Sequence, residues 1–422
     1  MSKDWLKYQQ AHLDSYIQRS KEYFVKKSLK LGLGKESFLS FLDDTNPGLQ
    51  EERKKRLLKA TQCHPNTIVF TFRTLHFIDW FIPIHLALES LYPKKFSVIY
   101  LDYATSLRRV GSGLEYLRFR EQVQSRLLQM GIDPLSHFSH EEYLAYPKPP
   151  ECVLGITCES IRQEKLNFPI RVYLPHYSLP KVIDRTLPEN IKFQHILLPT
   201  RSPYSYESIN LNSEEKNAEL HSVGYPKEFL KVNQKKCFPG SNKPLVIYAP
   251  SLEVKILKKA LKDGLIDFFK KNNQWNFLVK LHPSLESRRH YISSYIKNQL
   301  SGFDHISFDS LTNINSFIDE ASLLVTDFGS VGAEFSLISG KRVIFLEVPK
   351  KLEGGADLKF RDDFSSSVCP LKDLQKKINE LIELGPYSEE EHKQMRNKVL
   401  NCNLRSDEQA ANVLNQLILK NT

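Results

Sequence analysis

From residue 67 onward, short β-branched and aromatic runs alternate with helix-length segments of mixed polarity. TIVFTF at 67–72 and FSVIYL at 96–101 read as buried strands with a helix over 78–91 between them. A long helix over 114–130 and strands at 153–156, 170–174 and 196–198 continue the series. The stretch QKKCFPGSNKP at 234–244 has the composition of an interdomain linker. The alternation then restarts, with strands LVIYA at 245–249 and FLVKL at 277–281, a helix over 255–271 between them and another over 286–300. Residues 371–384, 389–400 and 407–419 read as closing helices. Two successive α/β series predict two doubly wound sheets: an N-terminal Rossmann-like domain at 61–240 and a C-terminal one at 241–422 that keeps the terminal helices. Residues 1–60 read as a charged helical extension whose rough apolar face, Tyr16, Ile17, Tyr23, Phe24 and Val25, suits packing on the next domain.

The most informative stretch is LLVTDFGSVGAEFSLISGKRVIFL at 323–346. Its pattern predicts a strand at 323–325, a turn at 326–330, a helix at 331–339 closed by Gly340, and a parallel strand at 343–346. Gly329, Ser330 and Gly332 sit where the helix begins, so unpaired backbone N–H groups there make a seat for a phosphate. The plainer alternative is that Asp327 and Ser330 cap the helix and Gly332 lets helix and sheet pack closely. Glu334, one turn into the helix, is placed to bond the hydroxyls of a ribose.

Composition narrows the classes. With 422 residues, 41% apolar and 26% charged, the chain has the make-up of a globular protein of two or three domains. No uncharged stretch reaches membrane-spanning length and MSKDWLKYQQ lacks the apolar core of a secretory signal, so a cytoplasmic chain is expected. Cys63, Cys152, Cys158, Cys237, Cys369 and Cys402 form no CxxC pair, which indicates neither zinc nor a disulfide framework. The net charge of +10 is concentrated: residues 227–262 hold nine lysines against two acids, and RKKR occupies 53–56. Such patches suit phosphates or the anionic inner face of a membrane, and no nucleic-acid-binding motif accompanies them.

In open α/β sheets ligands bind outside the carboxyl ends of strands. His176 follows the strand IRVYL and His282 follows FLVKL, one in each half. A neutral imidazole on one side can take a proton from an acceptor hydroxyl while the other, with a lysine such as Lys280, steadies the phosphate of a leaving group. Arg361 and the helix end supply further positive charge, and Asp357, Asp362 and Asp363 do not form a metal-holding DxD pattern.

HYSLPK at 176–181, VGYPKEFL at 223–230, VIYAPSLE at 246–253, VKLHP at 279–283 and VTDFGSVGAEFSLISGKRVIFL at 325–346 together resemble the CDP-glycerol glycerophosphotransferase family of teichoic-acid-type polymerases. The resemblance implies the GT-B fold, two facing Rossmann-like domains. It makes His176 the base and His282 a contact to the donor phosphate or leaving group, and it places Thr326, Asp327, Gly329 and Ser330 around the diphosphate. Tyr177 stands where members commonly have Gly, and Gly329 and Ser330 where they have two serines, so the donor is left open. The implied activity is transfer of a polyol-phosphate or sugar from a nucleotide-activated donor, such as a CDP-linked one, to a hydroxyl of a cell-surface polymer or lipid-linked precursor. Neither cofactor nor metal is implied; the basic patches and leading helix suit an acceptor held at the inner membrane face. The segment GAEF with Glu334 is also similar to the ribose-binding glutamate of other GT-B enzymes, including nonhydrolysing nucleotide-sugar 2-epimerases and many sugar transferases. A catalytically inactive nucleotide-binding scaffold is the third reading.

Overall fold

The structure is a computed structural model and describes residues 66–103, 113–139, 154–158, 168–175, 193–199, 218–230, 232, 234–282, 285, 290–309, 313–327, 330–348, 367–400 and 405–421. The expected extension at 1–60 lies outside them. The described chain divides into two compact units, with boundaries at Lys231/Val232 and Arg396/Asn397.

In the first unit, β1 (Thr67–Phe72), α1 (Ile78–Leu91), β2 (Ser97–Asp102), α2 (Gly113–Gln129), β3 (His137–Ser139), β4 (Leu154–Thr157), β5 (Ile170–Tyr173), β6 (His195–Leu198) and β7 (Glu219–Ser222) build a parallel sheet of order β3-β2-β1-β4-β5-β6-β7. β1 is buried at every position, as its unbroken β-branched and aromatic run requires of a central parallel strand covered on both faces. Phe70 of β1 stacks on Phe81 of α1 with ring centroids 4.7 Å apart. Val69, Ile99, Leu101 and Phe138 form the core on the opposite face.

The second unit contains β8 (Leu245–Tyr248), α3 (Val254–Lys262), α4 (Leu265–Lys271), β9 (Asn276–Val279), α5 (His290–Leu300), β10 (Ile306–Phe308), β11 (Ala321–Thr326), α6 (Ser330–Ser339), β12 (Val343–Leu346), β13 (Ser367–Cys369), α7 (Leu374–Leu384) and most of α8 (Glu389–Val399), whose last turn crosses the unit boundary. Its parallel sheet has the order β10-β9-β8-β11-β12-β13. Successive strand residues feed opposite cores. Val246, Tyr248, Leu323, Val325, Ile344 and Leu346 pack with residues of α3, α4, α5 and α7. Leu245, Ile247, Leu324, Val343 and Phe345 pack with Phe335 of α6.

Three differences from the sequence expectation have physical causes. The helix expected over 255–271 is two helices, because Gly264 adopts φ +103°, a conformation that ends one helix and starts the next. The strands β3, β10 and β13 escape the pattern because three residues are too few to show a period, and β7 escapes it because ELHS is largely exposed and has no apolar run. Finally, α9 (Ser406–Asn421) belongs to the first unit, whereas the sequence expectation kept 241–422 in one domain. Buried Ala410, Ala411, Leu414, Leu417 and Ile418 recur at helical spacing and pack this helix on α1. Asn412 and Asn415 accept hydrogen bonds from Tyr92 and Lys95, both 2.6 Å. An apolar stripe announces a buried helix without announcing which sheet it covers.

Candidate functional site

Both sheets reverse strand order at one point, and in the second unit that point lies between β8 and β11. The chain leaves β8 through Ala249-Pro250-Ser251 and leaves β11 through Thr326-Asp327. The hydroxyl of Thr326, a fully buried residue, donates to the Ala249 carbonyl at 2.7 Å. Asp327 Oδ1 accepts from the Ser251 N–H at 2.8 Å, and this carboxylate is also buried. Ser251 Oγ in turn accepts from Glu253 N at 3.3 Å, and the Glu253 side chain caps α3 by accepting from Lys255 N at 3.2 Å. Thr326 and Asp327 thus hold two strand-end loops together.

The helix α6 starts at Ser330, where the sequence places the phosphate seat. Gly332 lies against the sheet: a Cβ there would sit 2.5 Å from the Phe345 ring and 3.0 Å from Thr326 Cγ2. The close-packing role of this glycine is therefore real, and it draws the start of α6 down onto β11 and β12. Glu334, one turn on, is 7% exposed, so it is not a solvated surface residue. Gly329 lies outside the described residues.

Next to β8, the end of β9 carries Lys280 and His282. Lys280 N donates to Tyr248 O at 2.8 Å, and its ammonium, on a side chain only 12% exposed, stands 3.9 Å from Asp309 at the end of β10. His282 is half-buried and its carbonyl accepts from Leu285 N at 2.7 Å. Lys280, His282, Thr326, Asp327 and Ser330 therefore share the carboxyl edge of one sheet. His176 and Arg361 lie outside the described residues.

Sequence reasoning missed Tyr248 and Ser251 as parts of this edge. Burial, with Asp327 adding to it, pushes the Tyr248 phenol well above its ordinary range, so it serves as a neutral group. A cavity of about 80 Å³ lies between α3 and the strand ends, lined in part by Tyr248, Ile256, Asp327, Leu346, Glu347 and Leu371. Ordinary ligand pockets measure about 300–1,000 Å³, so this one has room for water rather than for a nucleotide.

The corresponding point of the first sheet lies between β1 and β4. There Thr71 donates to Ile156 O at 3.1 Å and Thr157 donates to Thr71 O at 3.4 Å. His137 and Asp102 form a 2.8 Å hydrogen bond with both side chains fully buried, so this histidine offers no exposed base. Cys158, Cys237 and Cys369 are free thiols; burial pushes Cys237 up to about 12 and Cys369 to about 11, away from reactive thiolates. Among the described residues no helix is long and apolar enough to cross a membrane.

No protein-family model and no curated protein matches the chain. Solved structures do match. The S. aureus protein MnaA in its complex with UDP has 12% sequence identity and a TM-score of 0.53, over 84% of this chain and 96% of that one. The UDP-GlcNAc 2-epimerase of Neisseria meningitidis bound to UDP-GlcNAc has 13% identity and a TM-score of 0.51, over 84% and 99%. The spinosyn forosaminyltransferase SpnP has 11% identity and a TM-score of 0.51, with the same coverage of 84% and 99%. These likenesses, together with two parallel Rossmann-like sheets whose switch points are built alike, identify the fold as GT-B.

Proposed function

We propose that the chain is a GT-B transferase that moves a polyol-phosphate or sugar group from a nucleotide-activated donor to a hydroxyl of a cell-surface polymer precursor. The observation that supports this most directly is the second sheet's switch point. A buried carboxylate and hydroxyl hold the strand-end loops, α6 begins immediately beyond them, and a nearly buried Glu334 stands one turn into that helix. The donor diphosphate would take the backbone N–H groups around Gly329 and Ser330, with Gly332 keeping the helix start low against the sheet. His282, Lys280 and Arg361 would balance its charge in place of a metal, and Glu334 would accept from the ribose hydroxyls. Thr326 and Asp327 act beneath the site by shaping its turn. His176 takes the acceptor proton as the hydroxyl oxygen attacks, and the nucleotide leaves with the electron pair of the broken bond.

The released nucleotide separates the readings. Transfer of a polyol-phosphate frees a nucleoside monophosphate, whereas transfer of a sugar frees a diphosphate. A nucleotide-sugar 2-epimerase inverts its donor with no acceptor present, and an inactive scaffold does neither. A thermal-shift screen over CDP, UDP, GDP, CMP and their conjugates comes first. A nucleotide at a hundred times its dissociation constant stabilises the fold by about 2.7 kcal/mol. Absence of a shift with every nucleotide would overturn the proposal.

A further inference from the structure

At the edge of the first sheet β6 and β7 run side by side, with His195 opposite Glu219 and Leu197 opposite His221. Residues two apart on a strand share a face, so Glu219 and His221 flank His195 from the neighbouring strand. His195 Nδ1 lies 3.2 Å from His221 Nε2 and 3.4 Å from Glu219 Oε2, and His221 Nε2 lies 3.9 Å from the same oxygen. A tetrahedral zinc with bonds of about 2.0–2.1 Å to nitrogen and oxygen separates its ligand atoms by roughly 3.3–3.4 Å. A hydrogen bond between the two rings accounts for the first approach alone; a shared cation fits the first two separations and would draw in the third, which is 3.9 Å. We propose that His195, Glu219 and His221 form one face of a binding site for a zinc-class transition-metal ion, its fourth position taken by water.

The surroundings fit a cation held by neutral imidazoles. Burial lowers the affinity of both rings for a proton; Glu219 works the other way, Lys420 adds to the lowering, and for His221 the His195 ring adds to it as well. Their nitrogen lone pairs are thus available near neutral pH. Lys420 of α9 lies 3.9 Å from Glu219 Oε1, the oxygen that the three-atom cluster leaves unused. His195 and Glu219 open their strands, so the cluster sits toward the amino ends of β6 and β7, away from the edge where GT-B ligands are expected. Its role is therefore structural. β7 is a short, largely exposed strand of sequence ELHS with little apolar surface to hold it, and an ion would clamp it to β6.

The test uses the untagged full chain, stripped with EDTA and desalted. ZnCl2 titrated by calorimetry should bind at one equivalent and raise the melting temperature, and CoCl2 should give visible d–d absorption of a low-coordinate, N/O-ligated ion. His195→Gln and His221→Gln should each weaken zinc binding by more than about 100-fold while the metal-free chain keeps its melting temperature. Glu219→Gln, at a half-exposed side chain, provides the same readout should either histidine variant fail to fold. Failure of the parent to bind one equivalent, or a foldable variant binding as tightly as the parent, overturns the proposal.

Discussion

The two sheets close their switch points with the same device and then diverge. In the first, the hydroxyls of Thr71 and Thr157 reach across between β1 and β4, so two neutral groups hold the strand ends. In the second, Thr326 makes the matching bond across β8 and β11, but Asp327 follows it with a buried carboxyl group that accepts from the Ser251 N–H. Three residues later α6 begins with its backbone donors at the same edge. The common stitch belongs to the fold. The added carboxylate, the adjoining helix end and Glu334 are what make the second crevice the candidate nucleotide site.

The largest effect is expected at the proposed base. His176→Ala should lower turnover by about two to four orders of magnitude and leave donor affinity nearly unchanged, as steady-state kinetics and calorimetry would show. Ordinary turnover would remove the first unit's histidine from the mechanism. Glu334→Gln should cost about 1.5–3 kcal/mol of nucleotide affinity, the value of a hydrogen bond to a charged group. Unchanged binding would reduce Glu334 to a packing residue. Gly332→Val drives a side chain into Phe345 and should cost about 1–3 kcal/mol of stability in urea unfolding. If nucleotide binding survives in the folded fraction of that variant, the seating of α6 on the sheet is not what places the donor. The smallest effect concerns the stitches: Thr326→Val and Thr157→Val should each cost about 0.5–1.5 kcal/mol. The 2.7 Å bond of Thr326 should count for more than the 3.4 Å bond of Thr157. Equal losses would mean that the two switch points are held equally well despite their geometry.

What was legible from the sequence follows from how far each signal is carried along the chain. The βαβ unit at 323–346 could be read because its strands are unbroken apolar runs and Gly340 ends its helix. The use of Thr326 could not, because its acceptor, the Ala249 carbonyl, arrives only when β8 and β11 pair. For the same reason His195, Glu219 and His221 give no local motif: the pairing of β6 and β7 assembles them. The sequence expectation of no zinc rested on cysteine spacing, which is blind to a histidine–carboxylate cluster. Lys280, read as a contact to the leaving-group phosphate, has a mostly buried side chain beside Asp309, a pairing that only the folded sheet edge reveals. His176, Gly329 and Arg361 fall outside the described residues, so their assignments rest on sequence alone.

The return of α9 to the first unit fixes the order in which the molecule can be completed during synthesis. Most of the first unit leaves the ribosome early, yet the helix that covers α1 is translated only after the whole of residues 232–396. Until then α1 belongs to a nascent half whose covering helix has not been made. A nonsense codon between Asn397 and Ala410 would therefore spare the second unit and leave the first without the helix that covers α1.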